Sequence, residues 1–380
     1  MNKNKKRIVF ITGTRADYGK IKPLIKILNN NSKFEVFVFV CGMHLLKKFG
    51  GTYQEVLKDN YKNTYVAYGL SPTYNTSTNF GNTIIHLSGY VENIKPDMII
   101  VHGDRIEALA GAVVAALHNI LVGHIEGGEV SGTIDESIRH AVSKFSHLHF
   151  VCNKEAKDRL KQLGEDEKQI YVIGSPDIDV MLSSNLPTFD YVKNHYNIPY
   201  NRYAVLMYHP VTTEYDRLGI NIKTVVDAVI ASDKNYVVVY PNNDLGFEII
   251  LNEYQRFNNI DRFKVFPSLR FEYFLTLLKN AEFIIGNSSA GIREAGIYGI
   301  PAIDVGTRQS GRYNLKLSKK IQHVTENIDS ILKSINKVKQ YKTTEYLFGT
   351  GNSTEQFLHI MDSIDFNNIN IQKKFVDFRM

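Results

Sequence analysis

Short runs of β-branched and aromatic residues alternate along this chain with longer stretches whose apolar positions recur every three to four residues. That is the pattern of βαβ units laid on a parallel sheet. It predicts strands near Ile8–Thr12, Glu35–Val40, Met98–His102, Ile120–Ile125, His147–Cys152 and Ile170–Ile173. A second series is predicted near Tyr203–Tyr208, Tyr236–Tyr240, Phe263–Phe266, Phe283–Ile285 and Ala302–Val305. Between the two series lies the polar, proline-bearing stretch Ser183–Thr188, where periodicity fades and a domain connection is expected. The fold class is therefore α/β, with two doubly wound Rossmann-like domains over 1–184 and 185–352 and a C-terminal helix and tail over 353–380. In that last segment Phe357, Ile360, Met361 and Ile364 recur at helical spacing, a pattern that fits a surface helix and a helix packing back on the first domain equally well. No repeat at the solenoid period is visible.

Composition agrees with two domains: 380 residues, 43% hydrophobic and 22% charged, suffice for about 100–200 residues per domain. The 45 Lys and Arg against 39 Asp and Glu leave a net charge of +6, spread along the chain. This suits an anionic small molecule and lends no support to nucleic acid. Cys41 and Cys152 lie far apart without ligand spacing, which argues against a disulfide framework and a zinc site and for a reducing cytoplasm. Lys3, Lys5, Lys6 and Arg7 precede the apolar run Ile8–Ile11, but that run stops at Thr12-Gly13 with no cleavage site, so it reads as a buried strand and not an export signal. No apolar stretch approaches the roughly 18–20 residues of a membrane span.

Ligands of open parallel sheets bind beyond the carboxyl ends of the strands, where loop amides and helix starts converge. The unusual polar clusters of this chain fall at those ends: Gly13–Asp17, His102–Arg105, His124–Glu129, His209-Pro210, Pro241–Asp244 and Gly286–Gly291. Together they predict one site in a cleft between the domains. Gly13 and Gly19-Lys20 do not form a phosphate loop of the Walker type, because the glycine spacing is wrong and Ile21 replaces the hydroxyl. Arg15 is equally consistent with a substrate contact and a structural turn. Gly286–Glu294 predicts a helix start whose amides, Ser288 and Ser289 hold a diphosphate, with Glu294 accepting from ribose hydroxyls and Arg308 supplying a cation; the simple alternative is a serine cap.

The acid–base candidates are Asp104, Glu126 and Asp135, three carboxylates in neighbouring loops of the first domain. His209, followed by Pro210, is a candidate donor to a phosphate or leaving group. His102, His124 and His140 beside these carboxylates invite a two-metal reading, which the absence of His-x-His or His-Glu-x-x-His spacing opposes. No metal and no cofactor are expected.

In order and spacing, Gly13-Thr14-Arg15-Ala16-Asp17-Tyr18, His102–Arg105, His124–Asp135, Tyr208–Glu214, Pro241–Asp244 and Asn287–Glu294 resemble the hydrolysing UDP-N-acetylglucosamine 2-epimerases of bacterial sialic acid synthesis. The resemblance runs from about Arg7 to Arg312. It implies a GT-B-like fold and conversion of UDP-GlcNAc and water to N-acetylmannosamine and UDP, by anti elimination of UDP to 2-acetamidoglucal and hydration of that double bond. It also implies catalytic roles for Asp104, Glu126, Asp135 and His209, and nucleotide binding by Arg15, Lys20, Arg105, Asn242, Ser288, Ser289, Glu294 and Arg308. A homodimer is the default expectation for the family. Non-hydrolysing relatives typically read Gly-Thr-Arg-Pro-Glu at the first loop, so Ala16-Asp17 favours the hydrolysing branch. The enzyme alternative is the branch acting on UDP-2,4-diacetamido-2,4,6-trideoxy-glucose in legionaminic acid synthesis; more distant readings are a GT-B glycosyltransferase and a nucleotide-sugar sensor.

Overall fold

The computed structural model describes residues 5–68, 75–313 and 318–377; Lys3 of the basic start and the last three residues of the tail lie outside them. The chain divides into two compact units. The first comprises Met1–Glu129, Asp135–Leu182 and Phe348–Met380, and the second Val130–Ile134 and Ser183–Leu347.

Seven strands build the first unit: β1 (Lys6–Thr12), β2 (Phe34–Val40), β3 (Thr64–Val66), β4 (Met98–His102), β5 (Leu121–Ile125), β6 (Leu148–Val151) and β7 (Ile170–Val172). They pair in the order β3-β2-β1-β4-β5-β6-β7, every pair parallel. Six strands build the second: β8 (Ala204–Met207), β9 (Tyr236–Val239), β10 (Phe263–Phe266), β11 (Ile284–Gly286), β12 (Ala302–Val305) and β13 (Ile321–Val324), in the order β10-β9-β8-β11-β12-β13. Each order reverses direction once, between β1 and β4 and between β8 and β11, which is where ligands of doubly wound sheets gather.

The expected α/β class is what both units show. Central strands such as Ile8–Ile11 and Met98–Val101 are almost wholly buried because helices cover both faces of the sheet, so their sequence is continuous apolar and legible. Two strands escaped the sequence pattern, β3 and β13. Both are short edge strands whose polar or partly exposed residues, Thr64-Tyr65-Val66 in the first and Gln322-His323 in the second, interrupt the apolar run.

The segment from Phe348 onward joins the first unit. Its helix Ser353–Ser363 starts on Asp179, whose carboxylate accepts from the backbone N–H groups of Ser353 and Thr354 at 3.0 and 2.7 Å. Phe357 and Met361 are buried in the core formed by Phe10, Leu24, Ile100 and Phe150, and the Phe357 ring meets Phe150 edge-on at 4.9 Å. No helix among the described residues is long and apolar enough to cross a membrane.

Phe357→Ala removes a fully buried ring from this contact and is expected to lower the unfolding free energy by about 3–5 kcal/mol. Urea denaturation checks this; a loss below about 1 kcal/mol would mean that the returning helix is not part of the core.

Candidate functional site

At the first unit's switch point, Thr14 caps the helix Arg15–Asn29 and its side chain accepts from the Asp17 N–H, while the Asp17 carboxylate accepts from the N–H groups of Gly13 and Thr14 at 2.9 and 3.3 Å. Asp17 also accepts from the Thr12 hydroxyl. Burial raises its pKa, a tendency opposed by the nearby His102. Glu107, in the first turn of the helix Ile106–Leu117, packs its carboxyl against Gly13 so closely that a Cβ there would stand 2.7 Å from it. Gly13 thus leaves room for the Glu107 carboxyl.

His102 closes β4 and is followed by Gly103 in the left-handed region (φ +70°). The Gly103 carbonyl accepts from His124 Nε2 at 2.8 Å, and His124 Nδ1 meets the Ser143 hydroxyl at 3.0 Å, so His124 holds the turn that presents Asp104. The Asp104 carboxylate accepts from Arg139, a buried guanidinium whose Nη1 also donates to the Glu129 carbonyl at 3.0 Å. Asp135 stands half-buried in the first turn of the helix Ile134–Phe145, one turn before Arg139 and on the same face.

Glu126 follows β5 directly. It is buried, and its backbone is left-handed (φ +64°), a conformation that costs a non-glycine residue about 1–3 kcal/mol and persists only where the surroundings enforce it. The Ser175 hydroxyl donates to Oε1, and Oε2 lies 3.2 Å from His102 Nε2, ion-pair distance without hydrogen-bond alignment. Glu129 is buried as well and accepts from the Cys152 thiol at 3.0 Å. Asp104 and Glu126 therefore sit beyond adjacent strands, each held by its own partner.

The cations of this unit are engaged. Lys20 is buried, with Nζ 3.0 Å from Asp177, at the start of the helix Pro176–Leu182. Arg105 Nε donates to Glu107 at 3.3 Å, and Arg15 reaches Glu55 at 3.8 Å.

In the second unit Gly286 (φ +129°) ends β11 so close to β8 that a Cβ would lie 1.9 Å from the Met207 carbonyl. Next to it the fully buried Asn287 clips the two strand ends together: its Oδ1 accepts from the His209 N–H at 2.6 Å and its Nδ2 donates to the His209 carbonyl at 2.9 Å. His209 Nδ1 accepts from the Asn242 N–H at 3.0 Å, which leaves the proton of a neutral ring on Nε2. Asn242 thus orients His209 through its backbone, while its side chain donates to Asp244.

Ser288 caps Ser289–Ile292, but this helix is a single turn, broken at Arg293 before a second turn over Glu294–Ile297. The helix start expected here is thus too short to carry a sizeable dipole. Lys320 Nζ donates to the Ile292 carbonyl at 2.5 Å, filling the break, and burial lowers its pKa to about 8. Glu294 is buried in the same turn. Arg308 and Gln309 reach the Asn287 carbonyl at 3.5 and 2.8 Å, and the Arg308 carbonyl accepts from the Gly132 N–H at 3.0 Å. Of the predicted residues, the structure places Asp104 and Glu126 just beyond β4 and β5 and Asp135 on the helix that carries Arg139, the partner of Asp104, with His209, Asn242, Ser288, Ser289 and Arg308 around the ends of β8, β9 and β11. The sequence reading passed over Arg139, Ser175, Asn287 and Gln309. Arg139 was signalled by its i+4 spacing from Asp135, whereas Ser175, before Pro176 at a helix start, has only the look of a helix cap. Among the described residues no group of three or more His, Cys, Asp and Glu side chains is placed to hold a metal ion.

Comparison with known proteins follows this geometry. A family described as UDP-N-acetylglucosamine 2-epimerase matches residues 26–362. A UDP-N-acetylglucosamine 2-epimerase of Neisseria meningitidis is 46% identical over 377 residues, covering 99% of this chain and 100% of the relative. A Legionella pneumophila UDP-N,N'-diacetylbacillosamine 2-epimerase (hydrolyzing) is 31% identical over 94% of this chain and 96% of its own length. Among solved structures, a UDP-GlcNAc 2-epimerase from Methanocaldococcus jannaschii in complex with UDP-GlcNAc and UDP matches with a TM-score of 0.81 at 23% identity, covering 94% of this chain and 99% of that one. One from Neisseria meningitidis bound to UDP-GlcNAc matches at 0.80 with 18% identity, covering 94% and 100%. At 18% and 23% identity, the likeness to solved structures speaks for the fold alone.

His44 and His124 are both buried, and burial lowers each pKa from 6.5 to about 3. The unfolded chain therefore binds protons first: their contribution is complete above pH 6.5 and is lost as the pH falls toward 3. Each is expected to cost about 2 kcal/mol of stability between pH 7 and 5. Urea denaturation of His44→Asn at both pH values should show a correspondingly smaller drop than wild type; an equal drop would refute it.

Proposed function

Given that this chain belongs to the UDP-N-acetylglucosamine 2-epimerase family, we propose that it is a hydrolysing member, converting UDP-GlcNAc and water to N-acetylmannosamine and UDP for sialic acid synthesis. The observation that carries this reading is the pair Asp104 and Glu126, two carboxylates beyond adjacent strands, one held by Arg139 and the other by Ser175 and His102. Carboxylates anchored separately are able to hold different protonation states and divide the work of acid and base.

In the elimination, a carboxylate takes the C2 proton, the C2–H electron pair becomes the C1–C2 double bond, and the C1–O bond breaks with its electrons passing to the diphosphate. In the hydration, water adds its oxygen at C1 and a proton enters C2 from the opposite face, inverting that centre. Asp104 and Glu126 act at C2, and Asp135 supports them or protonates. His209 donates from Nε2 to the departing diphosphate, which the Ser288 and Ser289 hydroxyls, the adjacent amides, Arg15 and Arg308 bind, with Glu294 on the ribose. Lys20, Arg105 and Asn242 contribute through the partners they hold. The hydrolysing branch is supported by the relatives named hydrolyzing, at 31% and 32% identity, and by Ala16-Asp17 in the first loop. The same relatives keep a second substrate in view, a UDP-diacetamido-trideoxy sugar, which the 46% relative's name disfavours.

Incubation with UDP-GlcNAc in deuterated water is expected to release free N-acetylmannosamine carrying deuterium at C2. An epimerised UDP-sugar without free sugar would overturn hydrolysis, and turnover of the diacetamido sugar alone would overturn the substrate. Asp104→Asn and Glu126→Gln are each expected to lower kcat by about 10²–10⁴-fold with UDP still bound; near-normal turnover in both removes the catalytic assignment. By calorimetry, Arg308→Ala should weaken UDP binding by about 10–100-fold, and an unchanged Kd would remove Arg308 from the phosphate site.

A further inference from the structure

Glu126 is held on one side by a residue that none of the recognisable motifs contains. Ser175 lies between β7 and the helix Pro176–Leu182, is fully buried, and donates its hydroxyl to Glu126 Oε1. Its own position is fixed from elsewhere in the chain. The Ser175 N–H donates to the carbonyl of Phe348 at 2.7 Å, where the C-terminal segment re-enters the first unit. The crossing is tight: Gly174 (φ +81°) and Gly349 (φ +136°) face each other, and a Cβ on Gly349 would stand 2.9 Å from the Gly174 Cα and 3.1 Å from the Ser175 nitrogen. Four residues beyond Gly349, the helix Ser353–Ser363 is started by Asp179 of the same Pro176–Leu182 helix. Backbone contact, glycine pair and carboxylate cap therefore secure one serine hydroxyl against a strained carboxylate.

We propose that Ser175 is the positioning residue of Glu126, and that the returning segment Phe348–Thr354 holds it in place, so that the carboxylate's aim and proton affinity are set by a part of the chain remote in sequence from the chemistry. This rests on the reading of Glu126 as an acid–base group. A hydroxyl that donates to a carboxylate favours its ionised form, and one that is removed from a buried site is not replaced by bulk water. The other groups around Glu126 are His102 of β4, His124 of β5, the Lys20–Asp177 pair two residues from Ser175, and Asp17 beyond His102.

The test follows the Glu126 carboxyl directly, by ¹³C NMR of protein labelled in glutamate side-chain carboxyls, with Glu126→Gln assigning its resonance. In Ser175→Ala the midpoint is expected about one pH unit above wild type, and the limb of the kcat/KM profile that Glu126 governs should move upward with it, while the Kd for UDP stays unchanged. Gly349→Ala, which removes no polar group, should move the midpoint in the same direction by less. Should Ser175→Ala fail to fold, Ser175→Cys keeps the volume with a weaker donor and should give the intermediate shift. An unmoved midpoint in the folded variant overturns the proposal, as does a lowered kcat with an unshifted profile. Wild-type protein inert toward both UDP-sugars would overturn the catalytic reading instead, and the NMR midpoint would still decide the role of Ser175.

Discussion

A carboxylate withdrawn from water must be met by a donor or a cation, and the loops of the first unit are arranged around that requirement. Asp17, Asp104, Glu107, Glu126 and Glu129 crowd the ends of β1, β4 and β5, and each has a donor close at hand, with His102 acting on both Asp17 and Glu126. Asp17 is met by its own helix start and Thr12, Asp104 by Arg139, Glu107 by Arg105, Glu126 by Ser175 and His102, and Glu129 by Cys152. Separate partners are what allow neighbouring acids to differ in proton affinity, and a difference of that kind is the physical precondition for one to remove a proton while another supplies one.

The second unit solves a different problem with the same economy of parts. Its switch point has to expose donors without letting the strand ends drift apart, and Asn287 does this by bonding both polar groups of the His209 backbone. The Asn242 N–H on Nδ1 then fixes which nitrogen of the neutral His209 ring carries the proton, leaving Nε2 as the donor. Because the helix at Ser289 is one turn long, its macrodipole is small, and donor placement matters more than field.

How much of this was legible in the sequence follows from where each signal resides. Buried central strands announce themselves as continuous apolar runs, and Gly103, Glu126 and His209 sit immediately after such runs, so the strand ends located the candidate site. Edge strands such as Thr64–Val66 lack the run because only one side of them is paired. Ser175 and Asn287 are hidden for another reason: each does its work through a partner 49 or 78 residues away, and nothing local distinguishes a serine that holds a carboxylate from one that caps a helix. The break at Arg293 was equally invisible, because what stabilises it is the Lys320 ammonium on the Ile292 carbonyl.

Magnitudes also rank the cations that the sequence offered on equal terms. Drawing Lys20 away to a phosphate would break its pair with Asp177, 1% exposed, and breaking a buried ion pair costs about 3–5 kcal/mol. A charge-assisted hydrogen bond to phosphate returns about 1.5–3 kcal/mol. The pair therefore stays intact, and Lys20 is better understood as the anchor of the helix that follows Ser175. The same reasoning applies to Arg105 against the buried Glu107. Arg308 Nη1 meets a neutral acceptor, the Asn287 carbonyl, at 3.5 Å, the long end of the hydrogen-bond range. Charge near a ligand is thus not the same as charge available to it, and only the second can be spent on a leaving group.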